Sequence, residues 1–280
     1  MSKRIKPKFY PTAMSVAGSD SGGGAGIAAD LRTFNALGVF GTFAITAVTS
    51  QNPAVVRRID PLEPAAVTAQ IDAVMEKISV KYIKTGMLFS AEIVAAVAEA
   101  IKKYRFKVVC DPVMVSTSGS RLLKKDAIEA MNEVLALASW ITPNIPEAEL
   151  LTGKKITSLP EMLDAAGELG ERFKNTVLLK GGHLGGERAC DVIYRDGKLY
   201  TLDAPLLDVP ELASHGTGCT LSSALTAMLA LDLPWKQAVC GSKAFVYGSL
   251  CQCVEIGSGT FAMYPPTEDF ISLIKLNEVE

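Results

Sequence analysis

The chain has 280 residues, 49% of them hydrophobic, enough to bury a large core without disulfide or metal staples. Its 28 basic and 30 acidic residues nearly cancel, which leaves no electrostatic footprint for nucleic acid or a charged membrane surface. Met1 to Thr12 is polar and basic without the apolar core of a signal peptide, and no run of about 18 uncharged apolar residues offers a membrane span.

Taken in chain order, short β-rich runs alternate with longer amphipathic ones, the pattern of a mostly parallel sheet with helices on both faces. A strand over Ala13–Ala17 leads to a helix over Gly26–Leu37, and a strand over Thr42–Val48 to a helix over Pro64–Lys77. Next come strand Tyr82–Thr85, helix Ala91–Tyr104, strand Lys107–Cys110 and helix Lys124–Ala136. Strand Trp140–Thr142, helices Pro146–Leu151 and Leu159–Arg172, and strand Thr176–Leu179 follow. Val192–Arg195 and Leu199–Leu202 flank Asp196-Gly197, a strong hairpin signal. Helices over Thr220–Ala230 and Trp235–Val254 and a short terminal one over Glu268–Lys275 complete the layout. No linker, repeat or low-complexity tract interrupts it, so one domain (13–280) is expected behind an N-terminal extension (1–12). The six cysteines form no C-x-x-C pair, and two histidines are too few to complete a zinc site with them, so free thiols in a cytoplasmic protein are expected.

In sheets of this kind ligands gather at the carboxyl ends of the strands. Gly18-Ser19-Asp20, Ser50-Gln51-Asn52, Gly86-Met87, Asp111-Pro112-Val113, Pro143-Asn144 and Lys180-Gly181-Gly182-His183 all fall just beyond predicted strands. This convergence argues for a catalytic site more strongly than any single motif does. The run Ala213–Leu221 adds a Gly216-Thr217-Gly218 turn at the start of an apolar-periodic helix. Exposed amides and the positive end of the helix dipole make such a turn an anion site, and the dipole favours a thiolate at Cys219 in the first turn. The same run is also what a glycine-started helix with a buried cysteine presents.

The Gly18–Gly26 segment does not carry a dinucleotide fingerprint. The register from Gly22 meets Ile27 where glycine is needed, and a P-loop fails at Gly24-Ala25. Asp30 lies one helical turn beyond Gly26, and a flexible turn with a solvated aspartate fits it equally. Gln51 offers a planar donor–acceptor edge that matches an aminopyrimidine, or is a surface residue in a loop. Asn144 and Glu147 are spaced for a helix cap or for Mg²⁺ beside a nucleotide's phosphates, with Asp111 as a second carboxylate. Lys180 ends a buried strand and needs an anion, either a phosphate or a structural carboxylate. His183 and His215 are too isolated for a nucleophile–histidine mechanism and read as supporting groups.

Together Val16–Ile27 with Asp30, Ala47–Asn52, Lys84–Met87, Asp111–Met114, Thr142–Glu147, Lys180–His183 and His215–Leu221 resemble the hydroxymethylpyrimidine/phosphomethylpyrimidine kinases of thiamine biosynthesis, in the ribokinase-like superfamily. The resemblance runs from about Ala13 to about Gly259 and implies a three-layer α/β/α sandwich. It implies ATP-dependent phosphorylation of 4-amino-5-hydroxymethyl-2-methylpyrimidine to the monophosphate and then the diphosphate. By position it puts Gly18, Asp30, Gln51, Met87 and Val113 around the pyrimidine, and Asn144, Lys180, Gly182 and Thr217 on ATP. Asp111 and Glu147 would hold Mg²⁺ through water, Gly216, Thr217 and Gly218 would form the anion hole, and Cys219 takes the catalytic position. A homodimer and a monovalent cation are further implications. Ser19 and Ser21 stand where relatives often carry Thr and Pro, and the chain ends at Glu280 with no fused second enzyme expected. The rival readings are a pyridoxal/pyridoxine kinase of the same superfamily and a non-catalytic pyrimidine-binding protein; the failed glycine fingerprint disfavours a nicotinamide-dependent oxidoreductase.

Overall fold

The protein was analysed as a computed structural model, which describes residues 9–114, 125–182, 184, 188–210 and 212–279. His183 and the expected helix start at Lys124 lie outside them. The chain runs β1 (Thr12–Ala17), α1 (Gly26–Ala36), β2 (Phe40–Ile45), β3 (Ala47–Asn52), β4 (Val55–Pro61) and α2 (Pro64–Met75). It continues through β5 (Tyr82–Thr85), α3 (Ala91–Tyr104), β6 (Lys107–Cys110), α4 (Lys125–Leu137), β7 (Trp140–Ile141), α5 (Ile145–Thr152) and α6 (Leu159–Phe173). The last part holds β8 (Thr176–Leu179), β9 (Arg188–Arg195), β10 (Lys198–Pro205), α7 (Thr217–Ala230), α8 (Trp235–Cys251), β11 (Val254–Gly257), β12 (Thr260–Ala262) and β13 (Lys275–Glu278).

A nine-stranded sheet in the order β13-β10-β9-β8-β7-β6-β5-β1-β2 forms the middle layer. The strands from β8 to β2 run parallel, while β9, β10 and β13 add antiparallel at the other edge. Alternation decides which residue faces which layer. Val108 joins the larger core with Val97, Met131 and Leu169, whereas its neighbour Val109 joins the core of Leu225 and Val239. Thus α2 to α6 cover one face, and α1, α7 and α8 the other. The expected three-layer α/β/α sandwich is the observed fold.

Two expectations change. The strand expected over Thr42–Val48 breaks at Thr46, whose hydroxyl donates to the Met87 carbonyl at 2.6 Å and whose N–H donates to that of Ala17 at 3.0 Å. The chain then leaves the sheet as a separate β3–β4 hairpin, so Gln51 sits on a strand rather than in a loop. Asn52 Oδ1 closes the hairpin by accepting from the N–H groups of Ala54 and Val55, each at 3.0 Å. The terminal helix expected over Glu268–Lys275 is a single 3₁₀ turn at Ile271–Leu273 followed by β13. Pairing with the open edge of β10 outweighs the weak local helical pattern there.

Candidate active site

A cavity of about 530 Å³ opens along the carboxyl ends of the strands. Residues just beyond β1, β5, β6, β7 and β8 line it, joined by Gln51 from β3 and the turn before α7. A second cavity, of about 600 Å³, lies where β5 to β8 begin, around Tyr82, Lys107, Trp140 and Thr176. Apart from the Asp196-Gly197 turn it gathers none of the motifs singled out in the sequence.

The glycine loop after β1 folds back on itself around Asp20. Its carboxylate accepts from the N–H groups of Gly22 (2.9 Å) and Ala25 (2.8 Å) and pairs with His215 Nε2 at 2.9 Å. Burial acts to raise the Asp20 pKa, but His215 and the two amides hold it below the ordinary carboxylate value. Gly26 opens α1 with φ +55°, and a Cβ there would collide with the Gly18 carbonyl. The loop is stitched to the hairpin: Ser21 Oγ donates to the Gln51 carbonyl (2.7 Å) and accepts from the Gln51 N–H (2.8 Å). The Gln51 amide reaches into the cavity, with Oε1 3.3 Å from Thr49 Oγ1 and Nε2 3.4 Å from His215 Nε2. These contacts are long enough for a ligand edge to replace them. Met87, Val113 and Gly18 supply apolar walls beside it.

Asp30 does not line this cavity. Its carboxylate is fully buried, paired with Lys84 Nζ at 2.9 and 3.1 Å, and accepts from Ser15 Oγ at 2.5 Å and Ser223 Oγ at 2.6 Å. The expected pyrimidine contact is therefore corrected: Asp30 serves Lys84, which does reach the cavity wall. Burial acts to lower the Lys84 pKa, but Asp30, Cys219 and Asp111 together more than reverse this and the ammonium is held well above its ordinary value. Lys84 belongs to the Lys84–Met87 motif, yet nothing in its spacing showed it as a site residue.

On the other side Lys180 Nζ pairs with Asp111 Oδ1 at 2.8 Å, the structural carboxylate competing with a phosphate. Asn144 caps α5 in a capping box: its Oδ1 accepts from the Glu147 N–H at 2.9 Å, and Glu147 Oε2 accepts from the Asn144 N–H at 2.8 Å. The cap reading of that pair is the one observed, and both residues also line the cavity. Burial pushes Glu147 up to about 7; Lys180 opposes the rise and Asp111 adds to it. Among the described residues no group of three or more His, Cys, Asp and Glu forms a ready metal cage. Two close carboxylates whose mutual repulsion a hard cation would relieve do fit Mg²⁺ that keeps most of its water. Asp191, unnoticed in the sequence, accepts from the Gly181 N–H (3.0 Å) and from Lys243 Nζ (2.7 Å), and so fixes the turn after Lys180. Gly182 follows on the wall, and Leu206, Leu207, Val246 and Leu250 make that end of the cavity apolar.

The turn at Gly216 joins the two halves. Gly216 has φ +86° and packs so tightly on the Gly24 carbonyl that no side chain fits. In the first turn of α7 the Thr217 N–H goes to the Ser214 carbonyl (3.2 Å) and that of Thr220 to Gly216 (2.9 Å). No described carbonyl takes those of Gly218 and Cys219, which leaves two amides for an anion. Cys219 lines the cavity, but the expectation of a dipole-favoured thiolate is overturned. Burial pushes the thiol up to about 11, and Lys84 only partly offsets this, with Asp30 and Asp111 acting against it.

A family model described as phosphomethylpyrimidine kinase matches residues 20–264. The chain belongs to that family. It is 43% identical over 251 residues to a hydroxymethylpyrimidine/phosphomethylpyrimidine kinase of Rhizobium meliloti, covering 88% of this chain and 94% of the relative. Among solved structures it is similar to a phosphomethylpyrimidine kinase of Clostridium difficile (41% identity, TM-score 0.74, 84% of this chain, 97% of that one). It is also similar to a pyridoxal kinase of Staphylococcus aureus in complex with ADP (30% identity, TM-score 0.87, 97% and 100%). Members of the two kinase groups thus share this fold, and the pyrimidine kinase has the higher identity. Among the described residues no helix is long and apolar enough to cross a membrane.

Proposed function

We propose that the protein transfers the γ-phosphoryl group of ATP to the hydroxymethyl oxygen of 4-amino-5-hydroxymethyl-2-methylpyrimidine, and then a second one to the monophosphate, supplying the pyrimidine half of thiamine. One observation carries the reading. The segment His215–Cys219 touches Gln51 at one end, where His215 Nε2 is 3.4 Å from its amide, and Lys180 at the other, where a Cβ on Gly218 would lie 3.2 Å from Nζ. A planar heterocycle on Gln51 and a polyphosphate on Lys180 would therefore meet across the two free amides and the Cys219 sulfur.

The pyrimidine lies against Gly18, Met87 and Val113 with its amino edge on Gln51. The nucleotide lies along Asn144, Thr217, Gly182 and Lys180, with its base at the apolar end. Asp111 and Glu147 would hold Mg²⁺ through water, and that ion supplies charge neutralisation on the phosphates when bound. In the first step the thiolate form of Cys219 takes the substrate O–H proton and becomes the thiol, while the oxygen bonds the γ-phosphorus and the bridging bond to ADP breaks. In the second, a phosphate oxygen is the acceptor and needs no base. The six cysteines include no disulfide among the described residues, which suits a cytoplasmic enzyme, and a homodimer is the expected assembly.

ADP release measured with the hydroxymethylpyrimidine, its monophosphate and pyridoxal tests the reading. The two pyrimidines should give kcat/KM at least about tenfold above pyridoxal, the worth of one or two well-placed contacts. A higher value for pyridoxal would make the vitamin B6 reading the better one. Cys219→Ser should slow the first step by about 10²–10⁴-fold and the second much less. Equal losses would reduce Cys219 to a packing group.

A further inference from the structure

The Asp30–Lys84 pair is the most enclosed ion pair among the described residues, with both side chains fully buried, and nothing in the proposed reaction yet uses it. Its surroundings connect it to the reacting end of the cavity. Ser223, which donates to Asp30 Oδ1 at 2.6 Å, lies one helical turn after Cys219 on α7, so the two side chains share a face of that helix. That face packs over β5, which carries Lys84. Gly86 leaves the ammonium its room, since a Cβ there would lie 2.9 Å from Nζ. Lys84 and Cys219 thus reach the same cavity wall. Buried pairs of this kind are expensive to desolvate and are often no better than apolar residues for stability, so a second role is a reasonable thing to look for.

We infer that Lys84, clamped by Asp30 beneath the first turn of α7, is a positioning residue whose buried positive charge stabilises the thiolate of Cys219 for proton transfer from the acceptor hydroxyl. The inference rests on the reading of Cys219 as proton acceptor. The groups whose charge or hydrogen bonding acts on the sulfur are Lys84 from β5, Asp30 from α1, Asp111 after β6, Lys180 after β8 and the Gly26 backbone amide. Lys84 is the strongest of those favouring the anion, and Asp30 and Asp111 oppose it. Lys180 is bound to Asp111 and is partly exposed to the cavity, whereas Lys84 is held by Asp30 with both side chains fully buried. In the step it assists, the substrate O–H bond breaks and its proton joins the thiolate. The freed oxygen pair forms the bond to the γ-phosphorus as the bridging bond to ADP breaks.

The test removes both charges together, because a lone buried charge would unfold the protein before it reported on chemistry. Lys84→Met/Asp30→Asn keeps the shapes close to the originals, and Lys84→Gln/Asp30→Asn is a second neutral pair with hydrogen-bonding capacity. Alkylation of Cys219 by iodoacetamide is followed by peptide mass against a Cys219→Ser background, without turnover. In a variant that still melts cooperatively, alkylation at pH 8.5 should slow by about tenfold and its pH profile should move upward, as the thiolate fraction falls. The first phosphorylation should slow by a similar factor and the second by less than about threefold. Alkylation and a first-to-second step ratio unchanged from wild type in either neutral pair would overturn the inference. Cys219→Ser separates this failure from failure of the base assignment, because that variant tests the sulfur with Lys84 intact.

Discussion

The Asp30–Lys84 and Asp111–Lys180 pairs both bring a lysine to one cavity, and they are built differently. Asp30–Lys84 is sealed, with both side chains at 0% exposure and two serine hydroxyls on the carboxylate. Asp111–Lys180 is less enclosed on the lysine side, with Lys180 at 14% and Asp111 at 2% exposure, and among the described residues Ser222 and Thr142 approach the carboxylate only at 3.3 and 3.4 Å. A sealed pair has no partner to exchange, so it serves as scaffold and fixed field. The less enclosed pair holds its lysine ready until a phosphate takes its place, since an ammonium at a strand end needs an anion at all times. Whether an ion pair is structure or machinery is decided by access and by how many other groups hold the carboxylate.

That contrast can be broken experimentally, beginning with the largest effect. Asp30→Ala leaves Lys84 buried and unpaired and should cost about 3–5 kcal/mol of stability, read by urea unfolding. If its loss were no greater than that of a surface pair, the sealed description would fail. The double neutral variants should recover most of the loss. Lys180→Ala should lower kcat by about 10²–10³-fold, the worth of a preorganised charge, and should also cost some stability because the Asp111 carboxylate left behind is buried. Calorimetry should find its pyrimidine affinity near wild type; lost affinity with normal turnover would move Lys180 to the pyrimidine side.

Smaller effects sharpen the picture of the hairpin side. Gln51→Leu keeps the size but leaves the amino edge of the pyrimidine unmet, which should raise its KM by an amount equivalent to about 1–3 kcal/mol while the KM for ATP barely moves. An analogue lacking the 4-amino group should bind mutant and wild type alike. Ser21→Ala removes both stitches to Gln51 and should cost about 1 kcal/mol, appearing as a modest rise in pyrimidine KM with kcat preserved. A fall in kcat without a change in KM would mean that the glycine loop acts on the chemistry itself.

Much of the architecture was legible in the residues. Alternating β-rich and amphipathic runs fixed the layer order, because each run buries one face only where a partner face exists. The boundaries of α3, β5 and β6 match expectation residue for residue. Motifs falling after predicted strands located the cavity, because parallel strands all present their carboxyl ends on one rim. Local pattern failed where a distant edge decided the outcome, as in the hairpin that carries Gln51 and in β13, which completes β10 instead of coiling.

The sequence by itself determined the three-layer fold, the cavity's position, the glycine turn at Gly216 and the cap of Asn144 and Glu147, all consequences of local periodicity and local hydrogen bonding. Only the tertiary structure decided that Asp30 is sealed beneath α7 rather than set against the ligand, and that burial works against a thiolate at Cys219. It also brought Asp191 and Lys243 together across 52 residues. Those outcomes depend on desolvation and on charges brought together from distant strands. A side chain's charge state is set by what surrounds it in space, and sequence spacing carries little of that information.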